Sequence, residues 1–120
     1  MISNGIDIVK IDRFDKYKND LNLMKKIFNE SELEYIKKAN NCSETIAGLY
    51  AAKEAFLKAL KKGINDYSLL DIEISHNNDR APFIILHNEL KKTYPNIHEN
   101  MSLSISHDGE YAIAICTLFI

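Results

Sequence analysis

The chain has 120 residues, 46% of them hydrophobic, and its formal net charge is −2. This length predicts one ordinary domain, residues 1–120, and the weakly negative charge argues against a nucleic-acid-binding protein, which usually carries a basic surface. No apolar run is long enough to cross a bilayer. The first residues, MISNGIDIVK, lack the basic start and long apolar core of a signal peptide. We therefore expect a cytoplasmic protein with neither nucleic-acid nor membrane partners.

The first forty residues predict a strand followed by two helices. The β-branched run GIDIVKI, residues 5–11, is typical of a strand. Residues 20–28 fit a short amphipathic helix. The sequence SELE at residues 31–34 matches a capping box, in which the serine bonds the backbone three residues on and the glutamate reaches back. It predicts the start of a second helix that runs to about Ala39.

The longest predicted helix begins near residue 43 or 44 and ends at Gly63, after two lysines in its last turn. Its large apolar side chains share one broad face: Leu49, Phe56, Leu57 and Leu60. Alanines recur every four residues on another side, where a second backbone could approach closely: Ala47, Ala51, Ala55 and Ala59. Lys53 projects from the apolar face, which leaves two interpretations. Either Lys53 extends to the surface and Glu54 pairs with Lys58 one turn on, or the charges of this helix serve a site.

The second half of the chain is mainly predicted strand. Residues 69–75 alternate apolar and acidic side chains, and a polar turn leads into the strand FIILH at residues 83–87. Residues 88–94 predict a short helix with Asn88 as its cap. The last twenty residues contain Asp108-Gly109 between two alternating strands, a strong hairpin signal. Strands clustered after helices favour an α+β fold with helices packed on a mostly antiparallel sheet.

Two further charged or titratable side chains occupy unusual positions. Asp7 lies inside the first strand between two isoleucines, where it is either a structural hydrogen-bond acceptor or a metal ligand. His107, just before the hairpin turn, is either an ordinary turn-flanking residue or a donor to a phosphate. Together with Glu54, these residues suggest one chemistry: two carboxylates suit Mg²⁺, and two lysines and a histidine suit phosphate charge. That set fits phosphoryl-type transfer, in which catalysis is mainly positioning and charge neutralisation.

Three segments, in this order and spacing, resemble one enzyme family: GIDIVKIDRF, GLYAAKEAFLKAL and SLSISHDGEYAIA. The sequence is similar to the holo-acyl-carrier-protein synthases, the short single-domain 4′-phosphopantetheinyl transferases of fatty acid synthesis, over essentially its whole length. The resemblance implies a Mg²⁺-dependent enzyme that moves phosphopantetheine from coenzyme A to a serine of apo acyl carrier protein. The other product would be adenosine 3′,5′-bisphosphate.

The resemblance also implies roles for particular residues. Asp7 and Glu54 would hold the metal against the pyrophosphate of coenzyme A. Lys58 would neutralise phosphate charge and assist the leaving group, with Lys53 near the same phosphates, and His107 would contact a phosphate of coenzyme A. The proton of the carrier serine would pass to Glu54 or to a metal-bound water.

Assembly and partner docking follow from the same resemblance. Family members are homotrimers with active sites between neighbouring subunits, and they dock the acidic helix of the carrier on basic residues, of which Arg13 is the match here. One departure concerns the long helix: an arginine-phenylalanine pair often precedes AAKEA, and this chain has Leu49-Tyr50.

Three other functions fit parts of this pattern. A non-catalytic coenzyme A-binding subunit could retain the fold, and a metal-dependent phosphohydrolase of small pyrophosphates would need similar ligands. A transferase acting on peptide-synthetase or polyketide carrier domains is the third, but that branch is commonly about twice as long. The single copy in this chain favours the fatty-acid type.

Overall fold

The structure, a computed structural model that describes residues 1–120, is organised around one long helix, α3 (Ser43–Ala59). Both sheets and the 3₁₀ segment Ile11–Tyr17 pack on it, and its side chains are buried around most of its circumference. None of the helices has the length and hydrophobicity that crossing a membrane requires. The central position of α3 explains why its sequence is apolar on nearly all sides.

The larger sheet has three antiparallel strands in the order β1-β5-β4, formed by β1 (Ile2–Lys10), β4 (Met101–Asp108) and β5 (Tyr111–Phe119). Alternate residues of β1 and β5 point inward against α3, and the others point outward. The predicted hairpin is confirmed, but its two central residues are Gly109 and Glu110, because Asp108 still pairs with Tyr111. Gly109 takes the first central position with φ +58°, a backbone conformation that favours glycine.

The smaller sheet pairs β2 (Ile72–His76) antiparallel with β3 (Pro82–Leu86). The α+β class with antiparallel strands is therefore confirmed, with the strands divided between two sheets. A 3₁₀ turn at Leu69–Asp71 replaces the start of the predicted strand at residues 69–75. A further 3₁₀ turn, Ile97–Asn100, leads into β4.

The short helix α4 (Asn88–Thr93) exists as predicted, but its cap does not. His87 is the residue before the helix, and no side chain caps it. Asn88 has φ +53° and donates its amide to Asp71 Oδ1 at 2.7 Å. Asn88 therefore joins α4 to the preceding 3₁₀ turn.

The N-terminal helical region is more broken than the sequence predicts. A 3₁₀ segment, Ile11–Tyr17, follows β1, and the predicted helix at residues 20–28 forms only one turn, α1 (Leu21–Met24). Helix α2 (Glu30–Lys38) has a capping box, but Asn29 and Glu32 form it. The predicted box at residues 31–34 is wrong. Glu32 is buried in the core and accepts the backbone N–H of Asn29, so the helix begins two residues earlier than predicted, with Asn29 as its cap.

Helix α3 also ends earlier than predicted. Its last helical residue is Ala59, and Lys61, with φ +64°, takes the left-handed position that the sequence assigned to Gly63. The backbone N–H of Lys62 then reaches back to the carbonyl of Leu57 at 2.8 Å. This bond satisfies a helix-end carbonyl in the way a glycine-terminated helix does.

Candidate active site

The site begins with an unusually close approach of β1 to α3. Gly5 lies directly on the helix backbone, so a Cβ added there would overlap the carbonyl oxygen of Ala55 and the backbone nitrogen of Ala59. Ser3 strengthens the contact by donating its hydroxyl to the carbonyl of Ala59 at 2.6 Å. The small residues of both elements thus bring the inward-facing Asp7 against the last two turns of α3. The alanine face packs on the chain's own sheet.

Asp7 and Lys58 form the first pair of the site. The Nζ of Lys58 donates to Asp7 Oδ1 at 3.0 Å and to the carbonyl of Ile6 at 3.0 Å. The side chain of Asp7 is only 7% exposed, whereas that of Lys58 is 55% exposed. Asp7 Oδ2 is buried and has no hydrogen-bond partner. A buried carboxylate oxygen normally has one, so this atom is the least satisfied polar group of the cluster.

Glu54 is the second carboxylate, one helical turn before Lys58. Its Oε1 accepts the hydroxyl of Tyr50 at 2.8 Å. Partial burial raises the pKa of Glu54, the negative charge of Asp7 raises it further, and Tyr50 and Lys58 oppose the shift. Burial, the hydrogen bond to Glu54 and its charge raise the pKa of Tyr50 to about 12, so its hydroxyl remains a donor at neutral pH.

The Asp7–Glu54 pair fits a divalent cation of the magnesium type. Two carboxylates with one cationic neighbour leave an excess of negative charge, and Asp7 Oδ2 offers an oxygen without a donor. No group of three or more histidine, cysteine or acidic side chains is assembled for a metal. Magnesium commonly uses one or two protein carboxylates and takes its other ligands from water and substrate phosphates. The donor set therefore suits a cation shared with a phosphate substrate.

Lys53 lies elsewhere, and the prediction that it contacts phosphates is wrong. Its side chain is 0% exposed, and Nζ donates to Glu32 Oε1 at 2.7 Å. It also donates to the carbonyls of Ile27 at 2.7 Å and Leu69 at 2.9 Å. Since an ammonium has three N–H donors, Lys53 has none left for a ligand. The alternative that Lys53 extends to the surface is wrong as well. The predicted ion pair between Glu54 and Lys58 is also wrong, because Lys58 pairs with Asp7.

His107 lies on β4, where it is exposed and pairs across the sheet with Ala112. It lines a cleft of about 430 Å³ with Arg80 and with the first half of α3. Across this cleft, Tyr35 and His76 stack face to face with ring centroids 4.1 Å apart, and burial lowers the pKa of His76. That stacked pair has no local signal in the sequence, because its two residues are 41 positions apart on different elements.

Arg13 is exposed in the 3₁₀ segment after β1. Its guanidinium carbon lies 5.4 Å from the ring centroid of Phe14 and 5.7 Å from that of Tyr50. These distances fit cation–π contacts. Arg13 therefore borders the side chain that hydrogen-bonds Glu54. The sequence prediction missed Tyr50 as a site residue, although its position four residues before Glu54 on one helix was a usable signal.

Comparison with known proteins agrees with this geometry. The family model described as the 4′-phosphopantetheinyl transferase superfamily matches residues 3–116. The chain belongs to this superfamily. A holo-[acyl-carrier-protein] synthase of Finegoldia magna is 40% identical, and the alignment covers 97% of this chain and 94% of that protein. The synthase of Caldicellulosiruptor saccharolyticus is 43% identical, with 95% and 94% covered.

Solved structures of superfamily members have the same fold. The crystal structure of Helicobacter pylori holo-[acyl-carrier-protein] synthase in complex with coenzyme A is 40% identical, with a TM-score of 0.82, and the match covers 99% of this chain and 100% of that one. The synthase of Neisseria meningitidis, at 28% identity, has a TM-score of 0.86 with both chains fully covered. The family resemblance of the three sequence segments is thus confirmed over the full length.

Proposed function

We propose that this protein transfers 4′-phosphopantetheine from coenzyme A to a serine of apo acyl carrier protein in fatty acid biosynthesis. The observation that carries the proposal is the unpartnered buried oxygen of Asp7 beside Glu54 and Lys58. Relatives covering nearly the whole chain are named holo-[acyl-carrier-protein] synthase, and one similar structure contains coenzyme A. These observations support the same reaction.

In this reaction, the serine oxygen forms a bond to the phosphorus that carries pantetheine. The bond from that phosphorus to the bridging oxygen of the pyrophosphate breaks, and adenosine 3′,5′-bisphosphate leaves with the bonding electrons. The serine proton passes to Glu54 or to solvent.

A magnesium ion is the cofactor that these residues would hold, through Asp7 and Glu54. When bound, it would neutralise phosphate charge and polarise the phosphorus. Lys58 is half exposed, so its ammonium can exchange part of its contact with Asp7 for a substrate phosphate. His107, exposed in its cleft, is the proposed donor to a further phosphate of coenzyme A.

We also propose a homotrimer with active sites between subunits. The outer face of the larger sheet exposes five large apolar side chains: Ile2, Ile6, Ile8, Ile115 and Phe119. Ile2 lies opposite Phe119 and Ile6 opposite Ile115, so these side chains form a continuous patch. Patches of this kind mark interaction surfaces.

The position of the two subsites along α3 supports sites shared between copies. The cleft of His107 is lined by the first half of α3, around Thr45, whereas Glu54 and Lys58 lie in its second half. Thr45 and Glu54 are about 14 Å apart along the axis, at 1.5 Å per residue. A neighbouring copy could place its own cleft beside Glu54. Light scattering tests the assembly: the wild type should run as a trimer, and Ile6→Asp should dissociate it.

Arg13 is the proposed docking residue for the acidic carrier, since its exposed guanidinium borders the site. The two cysteines are both free thiols, which supports the proposed cytoplasmic location.

The test of the function is intact-mass spectrometry of apo acyl carrier protein incubated with the protein, coenzyme A and Mg²⁺, with an EDTA control. The expected result is a gain of one phosphopantetheine that EDTA abolishes. Asp7→Asn and Glu54→Gln should each abolish the gain while the protein remains folded, and the exposed Lys38→Met should not. No gain on the acyl carrier protein, but modification of a peptide-synthetase carrier domain, would favour that branch. Coenzyme A binding without transfer would favour a binding subunit, and release of free phosphopantetheine would favour a hydrolase.

A further inference from the structure

Tyr50 occupies a restrained position next to the proposed metal site. The residue is 9% exposed, and its ring packs against Phe14 with centroids 5.1 Å apart and planes at 52°. Phe14 itself is 1% exposed and belongs to the core. Arg13 lies over the ring from the solvent side, with its guanidinium carbon 5.7 Å from the centroid. The core therefore fixes the location of the Tyr50 hydroxyl.

The two carboxylates of the site are each hydrogen-bonded through one oxygen. Tyr50 donates to Oε1 of Glu54 at 2.8 Å, and Lys58 donates to Oδ1 of Asp7 at 3.0 Å. The second oxygen of Asp7 is buried and has no hydrogen-bond partner, Tyr50 is the donor that holds Glu54, and the two carboxylates lie close enough to interact. Each carboxylate is thus held by one oxygen and leaves the other for a ligand.

We propose that Tyr50 is a positioning residue for the metal site: its hydroxyl fixes the Glu54 carboxylate so that the free oxygens of Glu54 and Asp7 serve one cation together. This inference rests on the proposed function. Outer-shell hydrogen bonds of this type orient metal-binding carboxylates in many proteins. The hydroxyl is also the group that distinguishes Tyr50 from the phenylalanine that the family resemblance leads one to expect here.

The inference separates two contributions of one side chain. The ring fills space against Phe14 and supports Arg13, whereas the hydroxyl donates its hydrogen bond to Glu54 and also lies close to the Arg13 guanidinium. Tyr50→Phe therefore removes the proposed positioning bond and keeps the packing, and Tyr50→Leu removes both. Tyr94→Phe is the matched control, because Tyr94 lies at the end of α4, away from the outer face of the larger sheet, and its hydroxyl makes no hydrogen bond within the chain.

The experiment measures Mn²⁺ binding by electron paramagnetic resonance of the free ion, and Mg²⁺ dependence of phosphopantetheine transfer by intact mass. Tyr50→Phe should weaken Mn²⁺ binding and raise the half-saturating Mg²⁺ concentration by about ten-fold, the lower end of measured outer-shell effects. Its KM for the carrier should not change. Tyr50→Leu should show the same metal defect together with a lower thermal midpoint, and Tyr94→Phe should match the wild type.

The outcomes separate the two proposals. If the wild type transfers phosphopantetheine and Tyr50→Phe has unchanged Mn²⁺ and Mg²⁺ dependence, the positioning role is wrong. A defect in Tyr50→Leu alone also contradicts it, because only the ring would then matter. If the wild type transfers nothing to any carrier protein, the proposed function fails, and the Mn²⁺ titrations still decide whether Tyr50 orients Glu54.

Discussion

Replacing Lys53 by methionine tests the least expected feature of the core. Methionine has a similar length and shape but no charge, so Lys53→Met removes the ammonium with little change in volume. It leaves the carbonyl of Ile27 without its donor. It also removes one of two donors from Oε1 of Glu32, which keeps the N–H of Asn29, and from the carbonyl of Leu69, which keeps the N–H of Ile72. It also removes a cation that lies 5.1 Å from the ring centroid of Phe28.

The expected loss is large because the pair is completely buried. Both side chains of the Lys53–Glu32 pair are 0% exposed. Removing one partner of such a pair costs about 3–5 kcal/mol, since the other charge is left in the core. Native domains have total stabilities of roughly 5–15 kcal/mol, so the variant should remain folded with little reserve. In a domain of this size, the thermal midpoint should fall on the order of 10 °C or more.

The pH dependence gives the loss a recognisable sign. Burial raises the pKa of Glu32, and Lys53 is the largest influence that lowers it. In Lys53→Met the folded pKa of Glu32 should therefore rise further above its unfolded value. The folded state then holds a proton that the unfolded state has lost, so stability decreases as pH rises from the unfolded pKa to the folded one. The deficit relative to wild type should be smallest in acid and largest near neutral pH.

Glu32→Gln provides the opposite case. Burial lowers the pKa of Lys53, and Glu32 is what opposes the shift. Without Glu32 the folded pKa of Lys53 falls further, the folded state binds fewer protons than the unfolded state, and stability rises with pH up to the unfolded pKa of lysine. The deficit of Glu32→Gln should therefore shrink at alkaline pH.

The assay is urea and thermal unfolding between pH 5 and pH 9 at one fixed protein concentration, because oligomer stability depends on concentration. Lys38→Met, an exposed lysine at the end of α2, is the control and should change little. A loss below about 1 kcal/mol for Lys53→Met, or the same pH trend for both core variants, would refute the argument that a desolvated ion pair organises this core.

Three further predictions address the backbone contact, the thiols and the docking residue. Gly5→Ala should destabilise the protein by several kcal/mol or prevent soluble expression, because the new methyl group overlaps α3 backbone that cannot move aside; thermal unfolding checks this. Iodoacetamide should modify the native protein at Cys42 only, because burial raises the pKa of Cys116 to about 12; modification of native Cys116 in mass spectra would contradict this. Arg13→Gln should raise the KM for the acyl carrier protein several-fold with little change in kcat, and the effect should shrink at high salt, as expected for an exposed charge that guides association.

The sequence predicted the two carboxylates of the site because each was out of place locally. Asp7 interrupts a β-branched strand, and Glu54 occupies a helix with few other charges. Both anomalies depend only on near neighbours in the chain. The structure places the two residues together, as the two-carboxylate hypothesis requires. Whether they bind metal stays a prediction.

The fate of Lys53 could not be predicted because it depends on distant residues. A lysine on an apolar helix face fits a core, a surface or a ligand site equally well, and the choice is made by Glu32, 21 residues away. The role of Glu32 was hidden as well, since residues 29–34, NESELE, contain two overlapping capping boxes, Asn29 with Glu32 and Ser31 with Glu34. The tertiary contact with Lys53 and the backbone of Ile74 selects the box headed by Asn29.

The fold was predictable to the level of elements and class but not to their ends. Alternating strands and the hairpin were found, because period-two patterns and a glycine turn are local signals. The end of α3 was misplaced because Lys61 adopts a left-handed conformation that its side chain type disfavours. The division into two sheets could not be predicted either, because the sequences of β2 and β3 do not indicate that these strands pair only with each other.

The site and the core are connected through the rotation of α3. Lys53 and Glu54 are consecutive, so their side chains point about 100° apart around the helix. Lys53 is held at three points by α2, the segment after α1 and the 3₁₀ turn before β2. These three hydrogen bonds fix the rotation of α3 about its axis. In this orientation Glu54 and, one turn later, Lys58 lie next to Asp7 of β1. Lys53 therefore helps to orient the carboxylate of Glu54, although it contacts no ligand itself. This gives a physical reason why a buried lysine directly precedes the glutamate of the site in the sequence.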